Sequence, residues 1–167
     1  PALRFLRKLG YTWLPREAIV AQRGGILSQV VLEDILKERL MAINRFTYKG
    51  QVHPFSPSSI QQAIATLQRV ADEGLVQTNE KVYDLLTLGK SFSETVGGDT
   101  KAFTLRYIDW ERPENNVYHI TEEFVVEGVG ATRRPDVVLF VNGIPFTIIQ
   151  CKRRDKEGST DEGVSQH

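Results

Sequence analysis

Apolar positions along this chain follow two different periods. In SQVVLEDILKERLMAINRF, residues 28 to 46, Leu32, Ile35, Leu36, Leu40 and Ile43 recur at spacings of three and four, while Glu33, Asp34, Lys37 and Glu38 fill the other side. That period predicts an amphipathic helix. A loop with Gly50, Pro54 and Pro57 follows, and then Ser58 and Ser59, each with a glutamine three residues on (Gln61, Gln62), offer two registers of capping box. The helix they open runs through Ile60, Ala63, Ile64, Leu67, Val70 and Ala71, with Gly74 placed to end it. A further helical piece is expected around 79 to 87.

Beyond residue 100 the period drops to two. AFTLRYIDW (102 to 110) alternates and is rich in aromatic and β-branched residues, which predicts a strand, and Pro113-Glu-Asn-Asn116 is turn chemistry. EEFVVEG (122 to 128) reads as another strand, and RRPDVVLFVNGIPFTIIQCKR (133 to 153) as two apolar strands folded about Asn142-Gly143. The predicted order is helices first, then a run of strands, then one more helix beginning near the end of the chain. No internal repeat interrupts it.

At 167 residues the chain has the length of one domain, and 41% hydrophobic with 25% charged residues is an ordinary globular composition. No uninterrupted apolar run is long enough to cross a bilayer, so no membrane span is expected. Lys plus Arg (21) balances Asp plus Glu (21), so a polyanionic partner has to meet a local patch, and basic residues do gather near the C-terminus. A single cysteine, Cys151, excludes an intrachain disulfide and, with no signal peptide in view, suits the cytoplasm. The chain opens on Pro1 and stops at His167 with no start or stop signal, and is expected to be a single domain, 1–167, cut from something longer.

Candidate chemistry centres on the hairpin, with Asp136 entering its first strand and Lys152 leaving its second. A two-residue loop at Asn142-Gly143 would pair Asp136 with Ile149 and turn Gln150 and Lys152 to the opposite face. A three-residue loop, Val141-Asn142-Gly143 with a left-handed glycine, pairs Asp136 with Ile148 and keeps Gln150 and Lys152 on its face. A shared site therefore demands the odd loop. The chemistry such a site suits is phosphodiester hydrolysis assisted by a divalent cation. Asp136 and the Cys151 carbonyl would be oxygen ligands, Lys152 would orient the attacking water or steady the phosphorus, and Arg133, Arg134, Arg153, Arg154 and Lys156 would meet the DNA backbone. An aspartate and a lysine at strand ends are commonplace, and spacing alone does not decide the matter.

RPD-VVLFVNGIPF-TIIQCK resembles the nuclease signature of the R (restriction) subunit of type I restriction-modification enzymes, a branch of the PD-(D/E)xK superfamily. Pro135-Asp136 matches the PD element, FVNGIPF the wording between the halves, and Gln150-Cys151-Lys152 the (D/E)xK element. Looser resemblance covers LGYTW, VVLEDILKERLMAIN and YIDWERPENNVYHITEEFVVEG. The resemblance implies an α/β, restriction-endonuclease-like fold, a mixed central β-sheet flanked by helices with N-terminal helices preceding the strands. It also implies cleavage of double-stranded DNA with Mg²⁺, and partnership with methyltransferase and specificity subunits through a longer protein whose motor domain uses ATP. Glu33 matches a position where an N-terminal helix lends the metal an acid, although Glu33 and Lys37 also suit an ordinary i,i+4 surface pair. Gln166 matches the glutamine of a DNA-contacting QxxxY element.

Gln150 stands where the family has an acid. Its amide oxygen can still ligate, but losing a unit charge about 4 Å from a cation is worth roughly 4 kcal/mol at an effective dielectric near 20. It is a working variant, a mark of a degenerate nuclease that only binds DNA or docks an assembly, or an engineered change; the first is adopted because Asp136, Lys152, Glu33 and the Cys151 carbonyl would still supply ligands and a proton-handling group.

Other features carry less. Leu88-Gly-Lys-Ser91 ends like a phosphate-binding P-loop but has Asp84 where that loop needs glycine. His53, His119 and His167 lack metal spacing and are expected on the surface or in loops, Cys151 is expected to be buried, and Trp13 and Trp110 to anchor core or loops.

Overall fold

The structure, a computed structural model, describes residues 2–70, 75–128 and 130–151. Strand β9 (Val137–Val141) has all five residues buried, as an unbroken apolar run requires when both faces of a sheet are covered. It lies between β6 (Tyr118–Glu122) and β10 (Ile144–Ile149), antiparallel to both, and β1 (Thr12–Trp13) adds to β6 in parallel. The central sheet is thus mixed, in the order β1-β6-β9-β10. Alternation along β9 sends Val137 and Leu139 to one face, where Ile120 and Leu6 of α1 (Ala2–Lys8) meet them. Val138 and Phe140 face the other way, onto Ile19 of α2 (Arg16–Gln22), Leu32 and Phe124. The implied fold class, a mixed central sheet flanked by helices, is what forms.

The helix predicted at 28 to 46 is shorter: α3 spans Glu33–Ile43 and buries Leu36 and Leu40. They pack with Ile60 and Ile64 of α4 (Pro57–Gln68), whose cap is Ser56 rather than Ser58 or Ser59. The Ser56 side chain accepts the Ser59 N–H at 3.2 Å and Pro57 takes the first turn, where a missing N–H costs nothing. The buried Glu94 carboxylate accepts both the Ser56 N–H and hydroxyl at 3.0 Å, tying this cap to β4 (Lys90–Val96). Helix α5 (Leu75–Leu88) contains the piece predicted at 79 to 87; α4 ends at Gln68, and Gly74, proposed as its stop, lies outside the described residues. Two hairpins went unforeseen: β2 (Arg45–Tyr48) with β3 (Gln51–Pro54), and β4 with β5 (Asp99–Leu105). β1 and the β2–β3 hairpin place strands among the helices instead of wholly after them. Gly89, the false P-loop glycine, has φ +73°, and a Cβ there would clash with the Leu105 carbonyl oxygen.

The strand expected at 102 to 110 stops at Leu105 because asparagine side chains take the backbone groups that follow. Asn44 accepts the Arg106 N–H at 2.8 Å and donates to the Arg106 carbonyl at 2.9 Å. Asn116 does the same for Asp109, at 2.9 Å each. Satisfied this way, Arg106 and Asp109 need no strand partner. The strand expected at 122 to 128 is broken as well. Glu123, at φ 51°, separates β6 from β7 (Val126–Gly128), which pairs with β8 (Ala131–Arg133) in a small hairpin of its own.

Candidate active site

The hairpin closes on two residues, not three. Val141 pairs with Ile144, and Asn142 and Gly143 take φ 53° and 80°, the left-handed pair of a type I′ turn. That register alone would put Asp136 and Gln150 on opposite faces. The parity is restored inside β10, where pairing passes from Pro145↔Phe140 to Thr147↔Leu139 and leaves Phe146 as a bulge. Ile149 then pairs with Val137, and one more step in that register sets Gln150 beside Asp136.

Packing explains why the extra residue is not in the turn. Asn142 is fully buried: its amide donates to the Tyr107 carbonyl at 2.9 Å and to Asn116 Oδ1 at 2.8 Å, and its Oδ1 accepts the Val117 N–H at 2.9 Å. Gly143 touches the start of α3, its carbonyl accepting the Leu32 N–H at 2.8 Å. An added Cβ would sit 2.6 Å from the Leu32 carbonyl oxygen and 3.1 Å from the Leu36 nitrogen. Both turn residues are fixed by tertiary partners, so a longer loop has no room.

At the far end of the hairpin, Asp136 is half-buried and its Oδ2 accepts the Cys151 N–H at 2.6 Å. This bond bridges the end of β10 to the start of β9. Asp136 also offers its own carbonyl to the Glu123 N–H at 3.0 Å, so the ends of β6, β9 and β10 meet here. A cleft of about 510 Å³ opens at this edge, and Trp13, Arg16, Thr121, Glu122, Glu123 and Cys151 line it with Asp136. Glu123 pairs with Arg134 at 3.6 Å.

Of the residues singled out from sequence, the structure brings Asp136 and Cys151 into the cleft and leaves Gln150 exposed, outside the residues that line it. Arg134 adjoins through Glu123, and Arg133 is exposed at the end of β8. Lys152, Arg153, Arg154, Lys156 and Gln166 lie outside the described residues. Glu33 does not join Asp136. Leu32 is buried against the sheet, and the next residue on the helix is rotated toward α4, where Glu33 accepts amide hydrogens from Gln68 at 3.2 Å, Gln29 at 3.3 Å and Gln61 at 3.5 Å. It lines a separate cleft of about 370 Å³, and the expected pair with Lys37 is not what holds it.

Three smaller expectations are corrected. Cys151 is exposed: β10 has ended at Ile149, and none of the described elements covers it. His119 sits in β6 rather than a loop; burial lowers its pKa and its Nδ1 has no partner among the described residues. His53 lies in β3, stacked on Phe46 with centroids 5.5 Å apart. Trp110 anchors its loop by donating to the Leu86 carbonyl at 2.8 Å, while Trp13 is 43% exposed in the cleft wall. Sequence reasoning missed Glu122 and Glu123, for which an acidic pair ending an apolar run was the available sign. Arg16 and Trp13 come from distant sequence and carry none.

The family described as the type I restriction enzyme R protein N terminus matches residues 1–167. The chain is 27% identical over 163 residues, 94% of its length, to the type I restriction enzyme HindI endonuclease subunit of Haemophilus influenzae. It is 28% identical over 162 residues, 96% of its length, to the putative type I restriction enzyme MjaVIIIP endonuclease subunit of Methanocaldococcus jannaschii. It spans 15% and 14% of those two relatives' lengths. Among the described residues no helix is long and apolar enough to cross a membrane. The sheet, the hairpin that carries Asp136 and the match along the whole chain support one assignment: the chain belongs to the family of type I restriction enzyme R protein N termini.

Proposed function

We propose that this chain is the endonuclease domain of a type I restriction R subunit, which hydrolyses phosphodiester bonds of double-stranded DNA with Mg²⁺. The observation that carries the reading is the meeting of Asp136, the Cys151 N–H and the Gln150 position at adjoining strand ends, beside an open cleft. Mg²⁺ takes oxygen donors and is commonly held by one or two carboxylates together with substrate phosphates and water. Asp136 meets that demand as one carboxylate of the cleft, whose wall also carries Glu122 and Glu123, and since no three His, Cys, Asp or Glu among the described residues are grouped to hold a metal, the other donors would be amide and backbone carbonyl oxygens, water and phosphate. Asp136 would hold the ion with the Gln150 amide and Cys151 carbonyl oxygens. When bound, the ion supplies a more acidic water and neutralises charge on the phosphate. The Cys151 N–H keeps the Asp136 carboxylate turned toward the cleft, Lys152 handles the water's proton, and Arg16 and Arg134 raise the positive potential along the rim.

In this reading the protein works in the cytoplasm, and its methyltransferase and specificity partners, like the ATP-driven motor, are reached through the rest of the subunit. Gln150 favours a second reading, a silent module that binds DNA or docks the assembly, because the charge lost there weakens the metal site. The two differ in outcome. In an active full-length complex, Lys152→Ala is expected to abolish cutting while ATP hydrolysis continues. Cutting at the normal rate by that variant would refute the nuclease assignment, and a complex that never cuts with its natural Gln150 but does so as Gln150→Glu would be the silent module.

A further inference from the structure

A groove of about 730 Å³ runs beside α1, lined by Leu3, Arg4, Arg7, Lys8, Trp13 and Glu122. Leu6 turns into the core, whereas Arg4, Arg7 and Lys8 are exposed at spacings of three and four and so share one side of the helix. Among the described residues none of these three cations has an ion-pair partner. In a chain whose acidic and basic residues balance, such a cluster makes a local positive field. Trp13 and Glu122 line both this groove and the cleft of Asp136, so the two are continuous. Trp13 exposes 43% of its surface there, an apolar plane that the fold leaves uncovered.

We propose that this groove is the track by which a duplex DNA backbone reaches the Asp136 cleft, with Arg4, Arg7 and Lys8 on consecutive phosphates and Trp13 against the sugar edge. The proposal rests on the nuclease reading of the cleft and adds to it a route for the substrate. The dimensions agree: residues 4 to 8 of a helix span about 6 Å, and one DNA strand presents a phosphate about every 3.4 Å along the axis, so the stripe spans roughly two phosphate intervals, the reach of two to three consecutive phosphates. A track of this kind carries no base recognition, because phosphate contacts position the duplex without reading it. Glu122 closes the basic stripe and marks where the groove gives way to the cleft.

The test is binding of a fluorescein-labelled duplex of random sequence by the 167-residue chain, followed by anisotropy across a series of salt concentrations. The combined variant Arg4→Gln, Arg7→Gln, Lys8→Gln keeps good helix formers in α1, and its fold is checked by circular dichroism. It is expected to bind at least about tenfold more weakly at low salt, with the slope of log affinity against log salt shallower by about 2 to 3. Removing the same charge elsewhere, by Lys37→Gln, Arg39→Gln and Lys101→Gln, is expected to leave that slope unchanged. A folded triple variant with wild-type affinity and slope overturns the proposal, as does a wild-type chain that binds no duplex. Unchanged binding together with failure to join the methyltransferase would instead make α1 a protein-docking face, and likewise overturns it. The nuclease reading is judged separately by cutting in the full-length complex, so either can fail alone.

Discussion

Asp136→Asn, introduced into the full-length subunit, is expected to reduce DNA cutting by about a thousandfold or more while leaving the melting temperature of the domain essentially unchanged. The substitution separates two roles of one side chain. As a hydrogen-bond acceptor, Asp136 Oδ2 receives the Cys151 N–H at 2.6 Å and holds the end of β10 to β9. Asparagine retains an acceptor oxygen for that bond. As a charge, Asp136 would be the principal ligand of the cation, and loss of a unit charge about 4 Å from a positive ion corresponds to roughly 4 kcal/mol at an effective dielectric near 20, close to three powers of ten in affinity. Gln150 brings no charge of its own, so nothing on β10 replaces what is lost. Cutting assayed beside ATP hydrolysis checks the first half of the expectation, and a thermal melt of the isolated chain checks the second. A large fall in melting temperature would mean that Asp136 is chiefly structural.

The largest effect on stability is expected at Asn142→Ala. This side chain is fully buried and satisfies the Tyr107 carbonyl, the Val117 N–H and Asn116 Oδ1 at once, while its backbone holds φ 53°. Alanine leaves the Tyr107 carbonyl and the Val117 N–H without their partner inside the core, at about 1 to 3 kcal/mol each, and tolerates the left-handed turn less well, while Asn116 Oδ1 keeps the Asp109 N–H. Even discounting for relaxation, a loss of about 4 kcal/mol is expected, enough to lower the melting temperature by about 10 °C or more in a domain of this size. Circular dichroism of wild type and variant measures it. A shift of only about 2 °C would show that water or a neighbour replaces the amide, and that the asparagine network is not what fixes the hairpin register.

That network also shows what could and could not be read from the chain. The helices α3 and α4 and the strands β9 and β10 were legible because their apolar residues repeat with the period of the element over several turns or pleats. Short elements such as β1, of two residues, leave no period to detect. The failure at 106 to 110 was of another kind: alternation was present, but Asn44, Asn116 and Asn142 supplied the hydrogen bonds a neighbouring strand would have given. The Asn-Gly turn was read correctly as a turn and incorrectly as to length, since its length depends on α3 pressing against Gly143, a contact over a hundred residues away in sequence. The bulge at Phe146 could not be located for the same reason, although the requirement it fulfils, one extra residue between Asp136 and Gln150, followed from parity alone. Glu33 faces Gln61 and Gln68 of α4, and an acid beginning a helix has no sequence mark of the neighbour it will face.

One crystal of this chain soaked in millimolar Mn²⁺ tests the assignment most directly. The expected result is an anomalous peak bound by Asp136, with the amide oxygen of Gln150 or the carbonyl of Cys151 completing the protein ligands and the Lys152 ammonium directed into the same cleft. No peak at Asp136 at that concentration, or Lys152 projecting from the opposite face of the sheet, would contradict it.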